Sequence, residues 1–330
     1  MLPSHPEEGP DSRAGAQVST PISLDLPDAV RRTTVHTARG AFAALKAVPA
    51  SGVCERETAL LVPGYTGSKE DFLAILDLLA DGSRQVVAID MRGQFETPGA
   101  DNLGDYEAAA LGADIAAVMH ATGARHLVGH SYGGLIGREA VLGGTGSGGE
   151  IASFTLMSSG PAALTGPRAK ELRAMLEEVG AGDEGLPDSA ALRTGIAELW
   201  SAHLEPQAVA TGVPGHIVAF LGHRMLSNDP DGLVLMARHM LTAPDRTAEL
   251  ARLDQIPKLV IYGENDNSWS PEEQENMARR LSAHRVCIPA AVHSPAVEAP
   301  ATTAGALTHF WDAAEAEQTR PAAPAAPGVR

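Results

Sequence analysis

Cysteine is nearly absent: the chain holds Cys54 and Cys287 and no others. Two thiols so far apart supply neither a disulfide framework nor a thiolate metal site. Each flanks or lies in an expected strand, so both read as buried thiols. Long apolar runs are missing too. None approaches the roughly 18 residues that a membrane-spanning helix needs. Residues 1–15, MLPSHPEEGPDSRAG, have neither the basic start nor the apolar stretch of a secretory leader, which points to the cytoplasm.

Positive charge is scarce. Lys and Arg number 25 against 41 Asp and Glu, a formal net charge of −16, and lysine occurs only at Lys46, Lys69, Lys170 and Lys258. Such a surface repels nucleic acid phosphates and anionic lipid, which leaves a small molecule as the expected partner. There is no G-K-[ST] run and so no phosphate-cradling loop. Residues 144–149, GTGSGG, satisfy G-x-G-x-x-G. They follow an expected helix and precede a strand, the reverse of a dinucleotide site, and read as a flexible connection. No internal repeat is visible, and the oligomeric state is left open.

What is present is an alternation of strand and helix signals, with 44% hydrophobic residues in 330. That length suits one large α/β domain or a core carrying an insertion. Residues 33–37 and 41–48 read as a hairpin turning at Arg39-Gly40. Strands follow at 59–62, 85–89, 125–128, 151–157, 258–262 and 285–288, and helices at 71–79, 106–121, 135–142, 272–281 and 303–314. Between about 160 and 253 there are helices, split by Gly/Pro turns, and no convincing strand. The expected organisation is therefore a disordered arm (1–28), an α/β core (29–160 and 254–318), an inserted helical cap (161–253) and a disordered Pro/Ala tail (319–330). The core's fold class is a mostly parallel central sheet flanked by helices.

Residues 125–134 read RHLVGHSYGG. A strand ends and a helix begins within a few residues, with Ser131 at the corner. A turn that sharp strains the serine backbone and is tolerable only beside small residues, which Gly129 and Gly133 provide. The following helix start aims free N–H groups at the reacting centre. Side chains of neighbouring residues point apart, so His130 reads as a packing residue.

A serine hydroxyl needs a base to take its proton. In a strand–serine–helix elbow of this kind the chain order is serine, acid, histidine, so both partners follow residue 131. Residues 258–269, KLVIYGENDNSW, place Glu264 and Asp266 in a loop after a strand. Residues 285–298, RVCIPAAVHSPAVE, place His293 after the last strand. His284 precedes that strand, and His309 lies inside the last helix.

These segments, with LVPGYTGSKEDF (61–72) and AIDMRGQFETPG (88–99), make the chain resemble the α/β-hydrolase superfamily, in particular its bacterial capped esterase-like members. The resemblance spans about residues 31–316 apart from most of the cap. It favours Asp266 over Glu264 as the acid that orients the base, and it puts the base at His293. It implies an oxyanion hole built from the N–H groups of Tyr132 and Tyr65. The chain departs from the pattern at Pro63, where many members have histidine, which leaves a local loop hydrogen bond in question. Asp90 and Arg92 read as loop braces.

Relatives with an aspartate nucleophile are excluded by Ser131, and the Gly-Gly-Ser-Trp-Gly elbow of proline iminopeptidases is absent. The expected activity is a serine hydrolase acting through an acyl-serine on an ester, lactone or thioester of a small apolar molecule. The alternatives are a carbon–carbon bond hydrolase or iminopeptidase-like enzyme with the same triad, and a non-hydrolytic receptor on this fold. No organic cofactor or metal is implied. His216, Phe220 and His223 share a helix face, but nothing nearby completes a ligand set. Trp200, Phe220, Leu221, Met225, Met236 and Met240 read either as a pocket lining or as the cap's own core.

Overall fold

The computed structural model describes residues 19–144, 151–182 and 185–319. Residues 145–149 of the expected connection and most of both terminal segments fall outside these. Of the arm, the part from Ser19 onward is placed, and the Ser19 carbonyl accepts a hydrogen bond of 2.7 Å from Arg224 Nη2.

Eight strands form one sheet: β1 (Val30–Thr37), β2 (Gly40–Ala47), β3 (Arg56–Val62), β4 (Arg84–Ile89), β5 (Ala124–His130), β6 (Ser153–Met157), β7 (Lys258–Gly263) and β8 (His284–Ile288). Their order is β1-β2-β4-β3-β5-β6-β7-β8. The β1–β2 hairpin and the β2–β4 pair are antiparallel; every later pair is parallel. Outside the segment between β6 and β7, the helices are α1 (Leu73–Ala80), α2 (Ala108–Thr122) and α3 (Tyr132–Leu142). In that segment come α4 (Gly166–Glu178), α5 (Ser189–Leu199), α6 (Glu205–Ala210), α7 (Gly215–Ser227), α8 (Pro230–Thr242) and α9 (Thr247–Ala251). The last three are α10 (Pro271–Leu281), α11 (Pro295–Glu298) and α12 (Pro300–Gln318). No helix among the described residues is long and apolar enough to cross a membrane.

Period-two alternation splits the sheet between two cores. In β3, Leu60 and Val62 face one cluster, shared with α2, α3 and the helices between β6 and β7. Ala59 and Leu61 face the other, shared with α1 and α12. The expected elements are all present, with shifted ends. The last helix is longer than its apolar period suggested because Pro300 opens it, at a position where proline forfeits no bond.

The two cysteines overturn an expectation: both are exposed. Cys54 lies in the loop before β3. Cys287 lies on β8, an edge strand with one neighbour, where apolar composition does not guarantee two covered faces.

The segment between β6 and β7 is bolted to the core at the α7–α8 joint. Asn228 Oδ1 accepts from the Phe95 N–H at 3.2 Å, and the Asp229 N–H donates to the Gly93 carbonyl at 2.8 Å. Arg224 Nη1 lies 2.7 Å from Asp71 Oδ1, both side chains being about as buried as the core itself.

A second network ties α12 to the sheet. Glu315 Oε1 accepts from Arg84 Nη1 at 2.5 Å and lies 2.9 Å from His126 Nε2. Partial burial alone would raise the Glu315 carboxyl, but His126 and Arg84 outweigh it and bring it down to about 2. A depressed carboxylate contributes stability above its unfolded value, lost as pH falls toward the folded one. Glu315→Gln is therefore expected to destabilise by roughly 1–3 kcal/mol at neutral pH. In urea unfolding, the gap to wild type should close as the pH drops through the carboxylate range.

Candidate active site

Strand β5 ends and α3 begins at Ser131, whose backbone takes φ 53° and ψ −119°. Its N–H is spent on the Met157 carbonyl of β6 at 2.8 Å. A Cβ at Gly129 would lie 2.3 Å from the Gly133 carbonyl oxygen, and one at Gly133 only 2.4 Å from that of Pro63. Both elbow glycines are therefore steric necessities. Gly134 is a third, crowded by Ser159 at 2.4 Å, which the motif alone did not single out.

The Ser131 hydroxyl is 3.0 Å from His293 Nε2, and His293 Nδ1 is 3.0 Å from Asp266 Oδ1. The structure thus brings the three side chains into one hydrogen-bonded chain. Asp266 is held on every side: the Ser268 N–H donates to Oδ1 at 3.0 Å and Gln274 Nε2 to Oδ2 at 2.9 Å. Burial alone would push the Asp266 carboxyl up. His293, the Ser268 N–H and the Gln274 amide outweigh burial and hold it below the usual carboxylate range. Glu264 faces elsewhere, accepting from the Ala290 N–H at 2.9 Å.

The loop with the acid and the loop with the histidine are pressed together. A Cβ at Gly263 would come within 2.1 Å of the Val292 carbonyl oxygen. His130 does more than pack. Its Nε2 lies 2.7 Å from the His293 carbonyl oxygen, which can only accept, so the proton sits on Nε2. Burial, seconded by His293, pushes His130 down to about 4, so it stays neutral at pH 7 and clamps the backbone of His293. Adjacent side chains do point apart, but a residue from another loop can come round to meet either one.

Gly64 and Tyr65 arch over the elbow; a Cβ at Gly64 would sit 3.0 Å from that of Ser131. Gln94 Nε2 donates to the Gly64 carbonyl at 2.9 Å and fixes this loop, which answers the question raised by Pro63. Tyr132 opens α3, so its N–H is among the first four that find no partner inside a helix. Asp90 holds Lys69 Nζ at 2.8 Å, and Arg92 Nε holds Asp114 at 2.6 Å. Gln94 and Gln274 carried no signal in the sequence, since helical or loop spacing does not reveal where an amide aims.

A cavity of about 90 Å³ opens on Ser131 and His293, with Leu164, Leu172, Met175, Met225 and Met240 among its walls. Both readings hold for most of the residues set between them: Met225 and Met240 line this cavity and Trp200 and Leu221 a neighbouring one, and all four belong with Met236 to the buried core, against which Phe220 packs. His216 and His223 are exposed, and His223 meets the Phe95 ring edge-on.

Residues 59–306 match the family model described as the Alpha/beta hydrolase family. A curated relative, provisionally named the carbamate hydrolase RutD of Variovorax paradoxus (strain S110), is 34% identical over 93 residues. That stretch covers 28% of this chain and 35% of the relative, so the match spans about a third of the relative's length. Among solved structures, a malate-bound thermophilic esterase from Thermogutta terrifontis aligns with TM-score 0.63 and 23% identity, covering 86% of this chain and 99% of that one. The enol-lactonase from Burkholderia xenovorans LB400 aligns with TM-score 0.62 and 16% identity, over 85% and 100%. At these identities the likeness is one of fold.

Proposed function

The chain belongs to the alpha/beta hydrolase family, and from that premise we propose that it is a serine hydrolase cleaving a carboxylester-type bond. One observation carries the reading: the unbroken Ser131–His293–Asp266 chain, with contacts of 3.0 Å, facing a mostly apolar cavity. Ser131 Oγ attacks the acyl carbon as its proton passes to His293 Nε2. Asp266 stays ionised, keeps the proton of the neutral imidazole on Nδ1 and stabilises the imidazolium. The tetrahedral oxyanion takes hydrogen bonds from the N–H groups of Tyr132 and Tyr65, each worth roughly 3 kcal/mol. Collapse breaks the bond to the leaving oxygen, which receives the proton from His293. Water, deprotonated by the same histidine, then attacks the acyl-serine; the bond from the acyl carbon to Ser131 Oγ breaks and Oγ takes the proton back from His293. The helices between β6 and β7 act as a cap that shields these steps from bulk water.

Incubation with a fluorophosphonate probe is expected to give a single adduct on Ser131, located by mass spectrometry and absent from Ser131→Ala. A folded wild-type protein that takes no adduct would overturn the reading.

A further inference from the structure

The cavity that opens on Ser131 has a neighbour, and the two differ in size and chemistry. The first, about 90 Å³, is mostly apolar, though Asp71, Arg168 and Glu171 also reach its lining. The second, about 320 Å³, touches His293 but not Ser131, and mixes Trp200 and Val213 with Gln207 and Thr211. Three residues line both: Ser19, Leu204 and His293. Ser19 and Leu204 thus form a shared wall, and His293 is common to both cavities.

The wall is held from behind. The Ser19 carbonyl accepts from Arg224 at 2.7 Å, and Arg224 is itself fixed at 2.7 Å by the buried Asp71. The segment ahead of β1 is therefore part of the site's architecture.

Resting on the serine-nucleophile reading, we propose that this wall divides the site by substrate half. The small, mostly apolar cavity takes a short acyl chain, and the larger mixed cavity takes a bulky, partly polar alcohol. The chemistry assigns the halves. The acyl carbon stays bonded to Ser131 Oγ after the ester C–O bond breaks, so the acyl chain lies in the cavity that contains Ser131. The proton taken from Ser131 returns from His293 Nε2 to the departing oxygen, so the alcohol lies on the flank of His293. An apolar cavity of about 150 Å³ just holds benzene, so one of this size suits an acyl chain of about two to four carbons. The substrate class is thus short-chain acyl esters of bulky alcohols.

The test is a pH-stat comparison of esters whose alcohols have similar acidity. Ethyl butyrate is expected to exceed ethyl octanoate in kcat/KM by at least about 100-fold, and 3-phenylpropyl acetate to exceed ethyl acetate by about 10-fold. Leu204→Ala removes the wall and should raise ethyl octanoate at least about 10-fold relative to ethyl butyrate. Met240→Ala, which lengthens the acyl cavity without touching the wall, should shift the same ratio if the Leu204 variant does not fold. Octanoate preferred over butyrate, or chain-length ratios unmoved in both folded variants, overturns the division. With a fluorophosphonate adduct on Ser131, that result leaves the serine reading standing. No adduct and no turnover of any ester overturns both.

Discussion

The Asp266→Asn enzyme is expected to keep its fold and lose about four orders of magnitude in kcat, the size of the effect for the equivalent change in serine proteases. The asparagine amide fills the same space, so packing is spared. What changes is the direction of hydrogen bonds. Asp266 accepts at both oxygens, from Ser268, Gln274 and His293. An asparagine has one oxygen and cannot accept at both positions; where its NH2 faces His293 Nδ1, that nitrogen must accept. The imidazole proton is then displaced to Nε2, where it faces the Ser131 hydroxyl and cannot accept from it. Steady-state kinetics beside circular dichroism checks this. A loss of less than about tenfold would remove Asp266 from the mechanism.

Arg224→Met is expected to have the largest effect on stability, roughly 3–5 kcal/mol at pH 8, because it strands a buried carboxylate. Burial holds Asp71 above the ordinary carboxylate range, though Arg224 and the Ser68 N–H pull the other way. A carboxyl raised in the fold favours folding while protonated, and that advantage is lost as pH rises through the folded value. Without Arg224 the value climbs further, so the gap between variant and wild type should widen from pH 5 to pH 8 in urea unfolding. A second change, Asp71→Asn, should recover much of it. A gap that ignores pH and is not rescued would mean the loss is one of packing alone. Asp71 also accepts from the Ser68 N–H at 3.3 Å, next to the Gly64–Tyr65 loop, so the single variant should lose activity as well.

Much of this molecule was legible because its signals are local. Strand and helix periods recover the order of the elements, and the elbow glycines mark Ser131 since no other residue fits there. His293 and Asp266 were reachable because each follows a strand at the sheet's carboxyl end. The choice of Asp266 over Glu264 came from the family resemblance and not from local spacing: both sit in one loop, and in the fold it is Asp266 that turns to the histidine. Where tertiary position governs, residue type alone is a poor guide. Cys287 is apolar in character but lies on an edge strand and is exposed. The run Lys69-Glu70-Asp71 is charged, yet it is buried because its partners Asp90 and Arg224 arrive from distant parts of the chain. His130 and Gln274 owe their contacts to loops that no spacing rule brings together.

The backbone at Ser131, with φ 53° and ψ −119°, has an evolutionary consequence. A side chain held in so sparsely populated a conformation costs about 1–3 kcal/mol, a sizeable share of a total stability of roughly 5–15 kcal/mol. Glycine would sit there without that penalty. In a lineage selected only to stay folded, position 131 would drift toward glycine, and each such step would run downhill. The hydroxyl at this position therefore stands against that gradient.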